Sequence, residues 1–427
     1  MSRLLAGLLA VIVGCPVVAQ EPKENKEKPP GVVVSDPAKL AGDLDFAIQG
    51  EYLGKRDGDP LGAQVIALGE GKFEVKLFAG GLPGAGWDGK PPVAGKGVLD
   101  RNRVVVKSAG KPEETLGVLE AGAGPKNRVF TIAGKEAAVL GKVERKSPAL
   151  GEKPPKGAVV LFSGPADADK WDKAVIADLS DGKFLAASGV RSKQKFQSFR
   201  LHLEYRTPWM PGQPRASSGV FLQDRYKLQV LDNFGLKSED KEQGAICEEC
   251  EITFNGDALI KKDVSAAKAI ENLDLLVGGT YEQGFIRFNQ TQKIAVQASS
   301  PKFRQLPADL ENLFIKNGRG EMVAYSSFMK IEMKQYAPKV NMCYPPLAWQ
   351  TYDIDFTAAE LDSEGLKTKS AKATIKQNGV VIYDGHELKW NSPGGGNFNK
   401  YLTESGSLYL QYLGDPVVFN NIWAVVK

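Results

Sequence analysis

Hydrophobic and polar residues alternate with a period of two through most of the chain, which predicts strands with one buried face. The pattern is clearest where Phe199, Leu201, Leu203 and Tyr205 alternate with Arg200, His202, Glu204 and Arg206. Such a strand buries its apolar side and presents four polar side chains on the other. Tyr226 to Asp232 repeats the motif, setting Lys227 and Gln229 opposite Leu228 and Val230, and Ser407 to Leu413 predicts a further strand. Lys372 to Tyr383 reads as a hairpin about Asn378-Gly379, because both central residues of its tight turn need a positive φ. Shorter alternating runs, such as Phe73 to Phe78, recur between glycine turns from Val32 onward and predict a small β-domain over 32–148. The period changes only between Cys247 and about Met333. There, helices are predicted from Ser265 to Val277, stopping at Gly278-Gly279, and from Asp309 to Lys316, stopping at Asn317-Gly318. The expected fold class is all-β with an α+β insertion.

Two proline-rich, charged stretches punctuate this pattern. Residues 20–31 bury nothing and read as a linker, and Gly151 to Gly157 marks the joint before a larger β-unit over 158–427, interrupted at 247–336. Ahead of them, Arg3, the apolar run Leu4 to Val13 and the small residues Val17-Val18-Ala19 predict a signal peptide over 1–19 and an exported protein, periplasmic or extracellular. Ile12-Val13-Gly14-Cys15 also has the form of a lipoprotein box, which would place a lipid anchor at Cys15. No later stretch approaches the roughly 20 apolar residues that span a bilayer.

Composition adds the following. The 427 residues include 46 Gly and 25 Pro, as expected of many turns, and the net charge of +4 is spread without a basic stripe, so nucleic acid is not an expected partner. The glycine-rich loop Gly80 to Asp88 lacks the Lys-Ser/Thr of a phosphate loop and reads as a turn pinned by Trp87. Cys247, Cys250 and Cys343 remain after cleavage, and the histidines are His202 and His386. That set predicts no metal site, identifies no cofactor, and makes a disulfide of open connectivity the expectation in an oxidising compartment.

Three stretches carry a family resemblance. Phe199 to Pro208 with Ser218 to Leu222 and Arg225 to Gly235, then Asn341 to Asp353, then Leu408 to Gln411 with Phe419 to Trp423, resemble the 3-keto-disaccharide hydrolase family. The resemblance implies a concanavalin or laminin-G-like β-sandwich, a jelly roll, and a carbohydrate substrate or glycan partner. It implies a reaction in which a base removes the C2 proton next to a C3 ketone, a donor steadies the enolate oxygen, the C1 substituent leaves and water adds back. Glu204 with His202 and Arg225 are the catalytic candidates it implies, and Arg206, Gln229, Asp232 and Gln411 the substrate-binding ones. It also suggests a disulfide from Cys247 or Cys250 to Cys343. Departures from the family pattern stand at Ser217, Lys227, Leu413 and Asn420, where its members tend to carry Asn, Glu, His and Arg. They open an alternative function, a non-catalytic glycan-binding module with a degenerate active site. A third reading makes the inserted segment a docking element for a partner.

Overall fold

The computed structural model describes residues 32–427 apart from 121–128, 134–137, 213–214, 237–244, 255–257, 262–279, 283–284, 289–291, 295–313, 317–321, 325–328, 362–366, 389–391 and 393–404, and between 247 and 335 it describes backbone only. The predicted signal peptide, the Cys15 anchor, the first linker and the helix Ser265 to Val277 lie outside the described residues. What is described is nearly all strand.

Residues 50–143 form a closed barrel of eight antiparallel strands, in which Gly50–Arg56 pairs with Asp59–Gly69 on one side and with Ala138–Val143 on the other. Its alternating apolar residues fill the interior: Tyr52, Val65, Val75, Val104, Val106, Phe130 and Leu140 are all fully enclosed. The Gly80 to Asp88 loop is a turn, as its sequence suggests, with Trp87 edge-on to Phe78 at 5.5 Å and its Nε1 donating to the Lys90 carbonyl.

The larger unit stacks two eight-stranded antiparallel sheets. A front sheet runs Trp171–Asp172, Val190–Phe196, Gly406–Tyr412, Ser217–Leu222, Tyr226–Leu231 and Ile246–Phe254, where it takes on Gln292–Ile294 and Met329–Tyr336. A back sheet runs Ile176–Leu179, Gly182–Ala186, Val418–Val426, Phe199–Arg206, Gln350–Thr357, Ala371–Gln377 and Val380–Leu388, with Val159–Phe162 added at Val418–Val426. Leu201, Leu203 and Tyr205 of the back sheet meet Val220, Leu228, Val230, Leu408 and Leu410 of the front sheet in one core. The predicted hairpin is present, with Asn378 at φ 50° and Gly379 at φ 81°.

Two expectations change here. Phe314–Lys316, read from sequence as the end of a helix, is a strand in a five-stranded sheet. Its three residues, Phe-Ile-Lys, are compatible with a strand as well as a helix turn, and pairing with Ala258–Lys261 and Met322–Ala324 decides between them. Among the described residues the insertion is therefore strand, so its α+β character is not seen there. Cys343 is a free, buried thiol, which removes it from the expected disulfide. Burial, with the Asp232 charge adding to it, pushes that thiol up to about 12.

Barrel and sandwich are packed together. Trp209, in the loop after Phe199–Arg206, sits in the barrel's own core, edge-on to Phe46 at 5.3 Å, and exchanges two backbone hydrogen bonds with Val34. Ile66 of the barrel packs on Phe234 and Cys343, Lys76 donates to the Gly235 carbonyl, and the Arg145 guanidinium, paired with Glu51, lies 5.0 Å over the Tyr344 ring.

Candidate functional site

The residues singled out from sequence fall into three places. His202, Glu204 and Arg206 lie on the outer face of the back sheet, since their neighbours Leu201, Leu203 and Tyr205 point into the core. Contrary to the expected exposed row, all three are buried, with 0%, 4% and 2% of their surface accessible. The cover is the joint between the two units. Ser147 bonds Thr351, Gly151 N–H donates to Glu204 Oε1 at 2.6 Å, and the Glu152 carbonyl accepts from Asn421 Nδ2 and Trp423 Nε1. A two-residue alternation shows which side of a strand avoids the core; it does not show that a linker returns across the other side.

Beneath this strap the polar groups satisfy one another. Asn421 Nδ2 donates to Glu204 Oε1 at 2.9 Å, the His202 Nε2 stands 3.7 Å from the same oxygen, and His202 Nδ1 is 2.7 Å from Asp353 Oδ1. The His202 ring stacks on Trp423 at 5.0 Å. Burial works against a charged His202, but its bonds to Asp353 and Glu204 prevail and raise it from 6.5 to about 9. Burial works against a charged Glu204 too, and the bonds from His202, Asn421 and Gly151 together hold it below the ordinary range. Arg206 is engaged separately, paired with Asp181 and lying over the rings of Phe184 and Trp349. Glu152, His202 and Asp353 also offer donor atoms within 4.8 Å of one another, a metal-like spacing that the sequence did not suggest. Two of the three, His202 and Asp353, are ion-paired with each other, and Glu152 is exposed.

These shifts fix a pH dependence. His202, raised in the fold, contributes stability that is full below about 6.5 and lost as pH rises through about 9; Glu204, lowered in the fold, contributes stability present above about 4.3 and lost as pH falls through its folded value. Thermal unfolding followed from about pH 3 to 10 should therefore weaken on both flanks. His202→Asn should flatten the alkaline one, and an unchanged alkaline fall in that variant would remove His202 as its cause.

Gln229 and Gln411 occupy the outer face of the front sheet. Gly219 lies between them, in register with Gln411 on one side and Gln229 on the other. A second row runs Arg191, Tyr409, Phe221 and Lys227. Arg191 stacks on Tyr409 at 3.9 Å and pairs with Asp224 at 2.8 Å. At Gly219 a Cβ would stand 2.7 Å from Lys227 Cε and 2.9 Å from Gln411 Oε1, so both side chains lie across its bare backbone and would have to move aside for any larger residue. Gln411 Oε1 is buried with no hydrogen-bond partner among the described residues. Ser217 and Leu413, two of the departures, are half-buried near the same rows, while Asn420 faces Glu204 across the back sheet.

Arg225 and Asp232 lie away from both faces. Arg225 ends the tight turn after Leu222 and is fully buried, its carbonyl accepting from Ser392 N–H at 2.7 Å. Asp232 is buried at the boundary with the barrel, 3.6 Å from Arg215, and burial raises its carboxyl despite that arginine. Sequence reasoning did not find Asp353, Asn421 or Gly151. Asp353 is the cross-strand partner of His202, a register that no local pattern announces.

Comparison with known proteins bears on the larger unit. The family model for the 3-keto-alpha-glucoside-1,2-lyase-like domain matches residues 157–425. A candidate glycosyl hydrolase from Parabacteroides distasonis, solved by crystallography, aligns with 64% of this chain and 85% of its own at 21% identity and a TM-score of 0.36. Among curated proteins, the toluene efflux pump membrane transporter TtgB of Pseudomonas putida is 31% identical over 91 residues, covering 21% of this chain and 9% of the transporter. The multidrug export protein AcrF of Escherichia coli is 38% identical over 78 residues, covering 18% of this chain and 7% of that protein. The chain thus spans less than a tenth of the length of either transporter. Among the described residues no helix is long and apolar enough to cross a membrane.

Proposed function

The chain belongs to the family of 3-keto-alpha-glucoside-1,2-lyase-like domains, and on that premise we propose that it is an exported, glycan-directed protein that holds a saccharide on the outer face of the front sheet. The two-sheet unit is then of the concanavalin or laminin-G-like kind, and the site is Gln229, Gln411 and Lys227 about Gly219. The observation that carries this reading is the meeting of the Lys227 and Gln411 side chains across a bare glycine, with Gln229 in register on the next strand and the carboxamide oxygen of Gln411 without a hydrogen-bond partner among the described residues.

Binding without turnover fits these residues best. Removal of the C2 proton of a 3-keto sugar needs a base within hydrogen-bond reach of it. On this face the described carboxylates beside the rows include Asp224, which is buried and paired with Arg191, and Asp172, in register with Arg191 on the edge strand and far from Gly219 across the sheet. Glu204 and His202 are spent on the strap. Family membership favours a second reading, cleavage of 3-keto-glycosides by elimination and hydration, in which Lys227 would have to serve as the base. Incubation with a panel of 3-keto-disaccharides separates the two. The binding module releases no free sugar while retaining affinity; steady release abolished by Lys227→Met would establish the second reading.

Transport forms no part of the proposal.

A further inference from the structure

We propose that the saccharide held on the front sheet is anionic, carrying a carboxylate or a sulfate that Lys227 recognises. This inference rests on the binding face proposed above and adds the chemical class of its ligand.

The charges around that face lead to it. Arg191 is already neutralised, with its Nε 2.8 Å from Asp224 Oδ2 and Asp172 beside it on the neighbouring strand. Arg225 is fully buried in its turn. Lys227 differs from both: its side chain is half-buried, it lies over Gly219 beside Gln411, and its ammonium forms no ion pair among the described residues. Lys195, exposed on the same side of Val190–Phe196 and facing Ser407, adds a second positive charge. A neutral sugar can offer the half-buried ammonium only a hydroxyl oxygen in exchange for its water, which returns less than a full negative charge would. An anionic substituent replaces that water with a charge-assisted hydrogen bond, while the carboxamide oxygen of Gln411 is left for a hydroxyl group.

A glycan array carrying neutral, carboxylated and sulfated oligosaccharides, probed with the mature protein, tests this directly. The carboxylated or the sulfated arm should dominate, which also decides between the two anions. Titration of the best acidic hit should show affinity about tenfold or more weaker in Lys227→Gln, close to wild type in Lys227→Arg, and falling with added salt. Lys55→Gln, an equal loss of charge on the exposed surface of the barrel, serves as the control and should change nothing. Neutral glycans bound as tightly as acidic ones, with Lys227→Gln silent, would overturn the inference and leave the saccharide-binding face standing. Absence of any glycan binding by folded protein would overturn both.

Discussion

Trp209→Ala should lower stability by about 3–5 kcal/mol, the loss expected when a large aromatic is cut from a packed core. The effect should also spread beyond the unit that contributes the residue. Trp209 belongs to the chain of the sandwich, yet it is fully enclosed among Tyr52, Leu140 and other barrel side chains, edge-on to Phe46. Its backbone N–H and carbonyl are both tied to Val34, which fixes the main chain from which the indole enters the barrel. Removing it leaves a cavity inside the barrel that the rigid ring of strands cannot close. Hydrogen exchange should then show the strands of residues 50–143 losing protection together with the Val34 segment. Loss confined to the sandwich would mean that the barrel does not depend on this plug.

Glu204→Ala should cost about 3 kcal/mol and leave saccharide binding untouched. The carboxylate is buried, accepts from Gly151 N–H and Asn421, and lies 3.7 Å from His202. Its removal strands a donor on the strap and leaves His202 with Asp353 as its remaining carboxylate, which is the costly way to break a buried charge cluster. Glu204→Gln keeps an oxygen for Gly151 and should cost less, about 1–2 kcal/mol. Chemical denaturation of the three proteins, with the slope compared as well as the midpoint, gives these values. Unchanged stability in Glu204→Ala would show the strap to be loose. Wild-type stability combined with lost sugar binding would return Glu204 to the site.

The sequence and the structure agree most closely where the information is local. The alternation from Phe199 to Tyr205 gave the strand and its core side, and Asn378-Gly379 gave the turn, because each depends on residues next to one another. The departures at Ser217 and Lys227 were likewise readable against the family, and both lie near Gln411 and Gln229. What could not be read was set by chain segments far apart. Glu204 meets Gly151 across 53 residues, His202 meets Asp353 across 151 and Asn421 meets Glu204 across 217, so the polar face that resembled an active site is the seat of a linker. Cys343 illustrates the same limit: its surroundings, Gln350 and the Leu231 carbonyl, come from different sheets, and nothing in cysteine spacing distinguishes that buried thiol from half of a disulfide. Phe314–Lys316 failed for another reason, since three residues of mixed pattern are compatible with either period.

The measurement that bears most directly on where the sugar binds is a calorimetric titration of one glycan ligand into three proteins: wild type, the Gln229→Ala/Gln411→Ala double variant, and Glu204→Gln. Placement of the saccharide on the front sheet predicts affinity at least about tenfold weaker in the double variant and within about twofold of wild type in Glu204→Gln. The reverse pattern, with binding lost in Glu204→Gln and kept in the double variant, would place the sugar on the strapped face of the back sheet and contradict the account.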